Sequence, residues 1–229
     1  MSRDAPAPYA FGDALSLDPV PPGSTVLVSG EGFSAAEDLA RAMVVDGTTR
    51  DEGALFISTN KSAKKLLAAC RRTRPSLDTS RIGIIDCTGQ EVGQASADAK
   101  VKYVSTQSDL TGIGMRFSAL YESLYAAAAD GRIRTGLLSL SSLCMYVDLR
   151  TLFRFAQTLS GRIDSAGGLG VMSIDPTTHD TQTVNTLSQA ADGKIEVRDY
   201  DGDGGEYDGE LRVRGLPDQP TDWTPFSLS

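Results

Sequence analysis

The residues from Gly30 to Glu37 stand where a phosphate-binding loop would begin a nucleotide site. The apolar run TVLVS ends in Ser-Gly, and EGFSAAE leads directly into an amphipathic segment. A working loop of the form G-x-x-x-x-G-K-[ST] surrounds phosphates with backbone N–H donors, contacts them through its lysine and holds magnesium through its hydroxyl. With Gly30 as the leading glycine, the later signature positions hold Ala35, Ala36 and Glu37. We therefore predict a strand, turn and helix without that chemistry, in a loop that consists of Gly30, Glu31, Gly32, Phe33, Ser34, Ala35, Ala36 and Glu37.

Carboxylates crowd the start of the helix that follows this loop. Glu31, Glu37 and Asp38 lie in the loop or directly after it. At an effective dielectric constant near 20, a carboxylate about 4 Å from a phosphate charge repels it by roughly 4 kcal/mol. A helix dipole contributes only about 0.3–1 kcal/mol per favourable charge. Ser34 and Glu37 also have the spacing of a capping box, and we favour that structural role over a new anion or metal site.

The segment from Asp199 to Glu210 has the spacing of a calcium loop. DYDGDGGEYDGE matches D-x-D-x-D-G-x5-E, which would offer oxygen ligands from Asp199, Asp201, Asp203 and Glu210. The flanking runs KIEVR and ELRVR have strand patterns, whereas such a calcium loop lies between helices. We therefore favour an Asp/Gly hairpin loop, with calcium binding as the alternative.

The only histidine, His179, follows a predicted strand and lies close in sequence to Asp175. Asp86 ends another predicted strand. Because ligands of open α/β sheets bind at the carboxyl ends of the strands, these three residues are candidates for a ligand crevice. A serine hydrolase would also need a nucleophile elbow, and no G-x-S-x-G occurs. A structural or solvent-exposed histidine is favoured, and an activity that depends on His179 or calcium is the alternative.

The composition excludes several classes of protein. Thirty acidic against 22 basic residues give a net charge of −8, which disfavours general nucleic-acid binding. No apolar run reaches the ~18 residues of a membrane span, and the first residues do not form a secretion signal, so we predict a cytoplasmic protein. The three cysteines are far apart, which argues against a disulfide framework or a zinc site. We expect no metal and no other cofactor.

Apolar strand patterns alternate with amphipathic helix patterns along most of the chain. This alternation predicts a mostly parallel sheet covered on both faces, and KIEVRDY with ELRVRG predicts an antiparallel hairpin at one edge. Residues 1–20, rich in Pro, Ala and Asp, are predicted to form an N-terminal arm, and residues 21–229 a single domain. Strands are predicted at 24–30, 54–58, 81–87, 101–105, 134–140 and 168–175, and helices at 34–46, 62–74, 115–131, 148–165 and 181–191.

This order of elements, with its residues, resembles the KaiC/RecA-like superfamily of P-loop ATPases over residues 15–228. PPGSTVLVSG is similar to the strand before the family's phosphate loop, GALFISTN to its second strand, and ADGKIEVRD with ELRVRGLPD and WTPF to its closing hairpin. SDLTGIGMRFSALYE and SLSSLCMYVDLRTLFRFAQTLSGRI resemble stretches of a haloarchaeal branch of short KaiC-like proteins. The excess of Asp over Glu and of Arg over Lys is similar to the proteome of a salt-loving archaeon. The resemblance implies a RecA-like three-layer α/β/α sandwich with a mostly parallel central sheet and a C-terminal antiparallel hairpin.

The same resemblance reveals a second departure from ATPase chemistry. The family's D-S-L-S-T-L pattern matches TGLLSLSSL with Leu138 at the position of the magnesium-orienting Asp, followed by Ser139. Arg212 and Arg214 match the K-x-R-G pattern with which KaiC-like subunits reach a neighbour's nucleotide, so action in trans is one interpretation. The interpretation we favour is two edge-strand arginines that face solvent and balance nearby Asp residues.

Together these observations predict a non-catalytic KaiC/RecA-like pseudo-ATPase with a regulatory or assembly role. Its expected partner is another protein, such as an active KaiC-like paralogue, and a homo-oligomer is a further option. A weak sensor of ATP or another nucleotide, bound through loop backbone contacts, is the alternative. ATP and magnesium are disfavoured as cofactors.

Overall fold

Nine strands form one sheet in the computed structural model, which describes residues 7–32, 35–89, 98–202 and 207–228. Strands β1 to β9 are, in order, Thr25–Ser29, Gly53–Ser58, Ile82–Asp86, Lys100–Tyr103, Ile133–Leu138, Leu169–Ile174, Gly193–Arg198, Gly209–Arg214 and Thr224–Phe226. Their order across the sheet is β4-β3-β2-β5-β6-β1-β7-β8-β9. All neighbours from β4 to β7 pair in parallel, and β7-β8-β9 pair antiparallel. The predicted parallel sheet with a C-terminal hairpin is confirmed, and β9 adds a third antiparallel strand.

Helices cover both faces of the sheet, which confirms the three-layer α/β/α sandwich. The helices α1 and α2 share one apolar cluster with the sheet, and α3 to α6 share the other. Within the described ranges no helix is long and apolar enough to cross a membrane. The α-helices of the described residues, α1 to α6, are Ala36–Val45, Ala63–Thr73, Leu110–Tyr125, Leu140–Cys144, Leu149–Ser165 and Thr181–Ser188.

The burial of each strand follows from its place in the sheet. Every residue of β1, β2, β5 and β6 is buried, as expected for mainly apolar strands that are covered on both faces. Along β7 and β8 buried residues alternate with less buried ones, because one face of the hairpin is open. The short helix α4 was not predicted, since five residues are too few to show a helical period.

The described part of the arm, residues 7–20, packs against the domain core. Tyr9 pairs with Val20 in an isolated β-bridge, and both side chains are buried together with Phe11 and Leu15. The Tyr9 hydroxyl donates to the carbonyl oxygen of Gly167 at 3.1 Å. These residues belong to the same apolar cluster as α1 and β1, so this part of the arm completes the core.

A buried ion network fixes the arm at the amino ends of β2 and β5. Arg134 is fully buried, and its Nε atom lies 2.5 Å from Glu52 Oε2. Glu52 Oε1 lies 2.9 Å from Nε of Arg132, whose guanidinium carbon stands 4.0 Å from the centre of the Tyr9 ring. Burial lowers the pKa of Arg134, and the Glu52 charge acts against that shift. A Cβ atom on Gly47 would lie 2.7 Å from Arg134 Nε, so only glycine fits there without a shift of the pair.

The Arg134 guanidinium also forms two backbone hydrogen bonds that link separate parts of the chain. It donates to the carbonyl oxygen of Met43, on α1, at 2.8 Å and to that of Ala10, in the arm, at 2.6 Å. One buried side chain thus connects β5, α1 and the arm. This network lies at the amino ends of the parallel strands, whereas the predicted phosphate loop lies at their carboxyl ends.

Candidate functional site

The predicted site residues lie at the edge of the sheet where the parallel strands have their carboxyl ends. Gly30 follows β1, and its N–H donates to the carbonyl oxygen of Ile174, at the end of β6, at 3.3 Å. Helix α1 begins at Ala36, and its N-cap residue is Ala35, which forms no side-chain cap. Phe33 and Ser34 lie outside the described residues, and with them the predicted Ser34 cap.

The carboxylate of Asp175 lies directly against the loop. A Cβ atom on Gly32 would come within 2.6 Å of Asp175 Oδ2, which measures how closely the carboxylate approaches the loop backbone. The other oxygen, Oδ1, accepts hydrogen bonds from the N–H of Thr177 at 2.9 Å and from its hydroxyl at 2.7 Å. Because these two bonds fix the carboxylate, a negative charge of the chain itself is held beside the loop.

A second carboxylate, Glu37, joins the start of α1 to the loop after β2. It forms an ion pair with Lys61 and accepts a hydrogen bond from Asn60 Nδ2 at 2.8 Å. Asp38 pairs with Arg41 one turn further along α1. The lysine that contacts the start of α1 therefore belongs to another segment and is already balanced by a carboxylate of the chain.

At the end of β5, no carboxylate occupies the position that the resemblance assigns to a magnesium-orienting Asp. The Leu138 side chain is buried in the apolar core, at the position that the resemblance assigns to a carboxylate. The Ser139 N–H donates to Thr59 Oγ1 at 2.7 Å, and the Thr59 hydroxyl in turn donates to the Ser139 carbonyl oxygen at 2.9 Å. Ser139 Oγ accepts from the N–H of Ser142 at 3.4 Å and so caps α4. The polar atoms here join β5 to β2 and begin a helix.

Asp86, at the end of β3, is a structural residue of the next helix. Its side chain is buried, and Oδ2 accepts a hydrogen bond from the N–H of Ala63, the first residue of α2, at 2.7 Å. Oδ1 accepts from the N–H of Thr88 at 2.9 Å and from its hydroxyl at 2.7 Å. Ser62 occupies the predicted N-cap position but makes no side-chain cap bond. The capping carboxylate comes instead from a neighbouring strand, which spacing along the chain could not reveal.

Replacing Asp86 by alanine is expected to lower the free energy of unfolding by about 1–3 kcal/mol, because the substitution leaves the buried N–H group of Ala63 without its acceptor. Urea denaturation followed by circular dichroism at neutral pH measures the change. Asp148→Ala is the matched control, since Asp148 caps α5 through Thr151 at 3.0 Å but is exposed, and water can replace it. An equal or smaller loss for Asp86→Ala than for the control would contradict the role assigned to Asp86.

The three residues of the predicted crevice do not form one cluster. The strands β3 and β6 are separated by β2 and β5, which puts three strand spacings, about 14 Å, between Asp86 and Asp175. His179 is half-buried, and its Nε2 atom is buried without a hydrogen-bond partner among the described residues. Asp180, beside it, caps α6, and the hydrogen bond from the Thr183 N–H lowers the pKa of its carboxyl. The carboxylates near His179 are thus engaged with backbone groups.

Arg212 and Arg214 lie on the open face of the hairpin and contact Glu196 on β7. Their Nε atoms lie 2.6 Å and 3.4 Å from Glu196 Oε2, and the Arg212 guanidinium carbon stands 4.5 Å from the centre of the Trp223 ring. Burial acts to raise the pKa of Glu196, but Arg212 and Lys194 outweigh it and hold that pKa below its usual value. The acid that balances the two arginines is therefore a glutamate on the adjacent strand, and not an Asp as expected.

The predicted calcium loop is only partly described. Asp203 lies outside the described residues, and Asp199 and Asp201 lie beyond the end of β7. Glu210 lies on β8, where its Oε2 atom is 2.7 Å from Arg198 Nη2. Across the part of the chain that the structure describes, no three histidine, cysteine or carboxylate side chains come together as a metal site.

Comparisons with known proteins place the fold but give no activity. The model of DUF7504, described as a family of unknown function, matches residues 23–197. A search of the curated proteins finds no match. Among solved structures, the chain is similar to the crystal structure of a KaiC-like protein from the hyperthermophilic archaeon Pyrococcus horikoshii OT3, with a TM-score of 0.66 and 15% sequence identity. That likeness covers 95% of this chain and 91% of the other, so it spans the whole RecA-like fold.

Proposed function

Since the chain belongs to DUF7504, a family of unknown function, and has a RecA-like fold, we propose that it is a non-catalytic KaiC/RecA-like protein, a pseudo-ATPase with a regulatory or assembly role. The observation that carries this proposal is the position of Asp175, whose carboxylate lies against Gly32 in the loop where a phosphate would bind. The loop no longer attracts an anion, because the chain places its own anion there.

Electrostatics supports this proposal at a second position. Glu37 stands where a functional loop has its magnesium-binding hydroxyl, and its carboxylate pairs with Lys61. A phosphate that approached Lys61 would have to displace that carboxylate. The backbone N–H groups at the start of α1 cannot compensate, since a helix dipole contributes only about 0.3–1 kcal/mol.

The missing magnesium ligands support it independently. A nucleotide binds to RecA-like ATPases with a magnesium ion, held by a hydroxyl on the loop and a carboxylate at the end of a central strand. Glu37 and Leu138 occupy these two positions, and Leu138 is part of the apolar core. A single substitution therefore does not restore the magnesium site, which agrees with a role that does not involve ATP hydrolysis.

A haloarchaeal origin is part of the proposal and is supported by composition. The net charge is −8, with acidic residues well in excess of basic ones. Repulsion between surface carboxylates is screened by salt over about 3 Å at 1 M, against about 10 Å at 0.1 M. In such a host the protein would act beside an active KaiC-like paralogue or as an assembly of its own copies.

We expect the purified protein to show no ATP hydrolysis and to bind Mg-ATP with a Kd above about 1 mM. Equilibrium dialysis with labelled ATP measures binding, and release of inorganic phosphate measures turnover. The double variant Glu37→Gln/Asp175→Asn removes both charges while keeping the side-chain shapes, and it is expected to bind ATP at least tenfold more tightly. The matched control is Glu122→Gln, an exposed carboxylate on α3, which should leave binding unchanged.

Magnesium-dependent turnover that disappears in Gly32→Asp would refute the proposal, because the hydrolysis would then depend on the loop of this chain. Tight ATP binding without turnover would favour the nucleotide sensor instead. For the assembly role, sedimentation equilibrium and mixing with a purified KaiC-like paralogue provide the test. A chain that remains monomeric alone and does not sediment with the paralogue would contradict that part.

A further inference from the structure

A second surface of the molecule has features that the predicted phosphate loop and its surroundings do not account for. A groove of about 830 Å³ runs between α3 and α5 on the outer side of the helical layer. Its floor is apolar, with Phe117 and Leu159 buried beneath it and Phe155 half-buried in its wall. Met115, which also lines it, is 70% exposed. This is a large apolar side chain left in water, and exposed apolar surface of this kind commonly marks an interaction site.

Exposed apolar side chains of the described residues are concentrated around this helical layer. Of the five large ones, four lie on α3 or between α4 and α5. Methionine adapts its shape to different partners, which makes it frequent on surfaces that receive helices. The four side chains are Met115, Tyr125, Met145 and Tyr146.

The dimensions of the groove fit one helix of about three turns. Its lining residues extend from Leu110 to Glu122 on α3 and from Thr151 to Arg162 on α5. At 1.5 Å per residue these stretches are each about 17 Å long. Arg162 reaches across from α5 and donates to Ser118 Oγ on α3 at 2.9 Å, which holds the two walls together at that end. An amphipathic helix that lays its apolar face between two helices needs such a channel.

The charge of the groove walls indicates which kind of partner the groove binds. Arg154 and Arg162 line the groove, eight residues apart on α5, and neither forms a salt bridge with any described residue. Among the described residues that line the groove, Glu122 is the one acid, so the groove is cationic on a chain whose net charge is −8. Two copies packed groove to groove would bring four arginines against two glutamates, which disfavours a second copy as the occupant.

We infer that the α3–α5 groove is the docking site for an amphipathic helix of a partner protein, with an apolar stripe flanked by acidic residues about two turns apart. The stripe lies on Phe117, Phe155 and Met115, and the acids pair with Arg154 and Arg162. This surface is separate from the predicted phosphate loop, so helix docking and the loss of nucleotide binding are tested by different measurements.

Three synthetic helical peptides of 14 residues test the inference. They share one leucine stripe with the i, i+3, i+4, i+7 spacing and carry two glutamates, two glutamines or two lysines at flanking positions eight residues apart. Fluorescence anisotropy measures their affinity for the full chain, at the lowest salt concentration at which its circular dichroism stays native. The glutamate peptide is expected to bind at least tenfold more tightly than the lysine peptide.

A charge exchange distinguishes docking in the groove from general attraction. In Arg154→Glu/Arg162→Glu the order of the three peptides should reverse, whereas Lys64→Glu/Lys65→Glu, two exposed lysines of α2 on the other face, should leave it unchanged. Equal affinities for all three peptides, or no binding of any, would overturn the inference. So would self-association that Met115→Glu abolishes, or binding to phosphatidylcholine/phosphatidylglycerol vesicles that the double arginine variant loses.

Discussion

Replacing Glu52 by glutamine is expected to lower the free energy of unfolding by about 3–5 kcal/mol, the range found when one partner of a buried ion pair is removed. The substitution leaves Arg134 charged and fully buried, and the remaining acid paired with it among the described residues is Asp46 at 3.8 Å. It also unpairs Arg132. For a chain of this length the melting temperature should fall by about 2–4 °C per kcal/mol, which differential scanning calorimetry resolves.

The matched control is Glu210→Gln, the same substitution in a pair with Arg198 that lies nearer the surface. Such pairs contribute about 0–1 kcal/mol, so this variant should be close to the parent protein. The double variant Glu52→Gln/Arg134→Met removes the isolated guanidinium as well and should recover part of the loss. If Glu52→Gln were no less stable than Glu210→Gln, the network would have no structural importance.

Tyr9→Ala is the second change with a large expected effect, a loss of about 3–5 kcal/mol, as for other buried aromatic residues. The ring is fully buried, and its removal leaves a cavity below Arg132, which also loses its aromatic contact. Guanidinium chloride denaturation measures the loss. Tyr9→Phe keeps the ring and gives up only the hydroxyl bonds to Gly167 and Ile133, so it should cost about 0.5–1.5 kcal/mol. Similar values for the two variants would show that the arm contributes no packing.

The strands were predictable because strands of a parallel core have a simple pattern of apolar residues in the sequence. Residues buried on both faces read as uninterrupted apolar runs, and alternation marks the open hairpin. Helix α3 was predicted to start at residue 115, five residues after its true start at Leu110, because Gly112 and Gly114 weaken the helical pattern. Its cap is Asp109, which accepts from the Gly112 N–H at 2.8 Å.

Contacts between distant segments were not predictable. Tyr9 and Leu15 stand in a stretch rich in proline and alanine without strand or helix periodicity, so nothing local indicated burial. Arg134 reads as the polar flank of a strand, yet it is the centre of the buried network. At the predicted phosphate loop, the sequence revealed which signature residues were missing. The approach of Asp175 to Gly32 was not predictable, because it depends on the pairing of β1 with β6, and these strands are 140 residues apart along the chain.

The contacts of the arm limit the order in which parts of the molecule can fold. Tyr9 reaches its hydrogen-bond partners Ile133 and Gly167 across 124 and 158 positions of sequence. The arm then receives the last strand, since the Ser16 hydroxyl donates to the carbonyl oxygen of Pro225 at 2.7 Å. During synthesis, the Tyr9 side chain therefore stays exposed at least until the segments around residues 133 and 167 have been made. Apolar surface that is buried only after such a delay makes a nascent chain prone to aggregation.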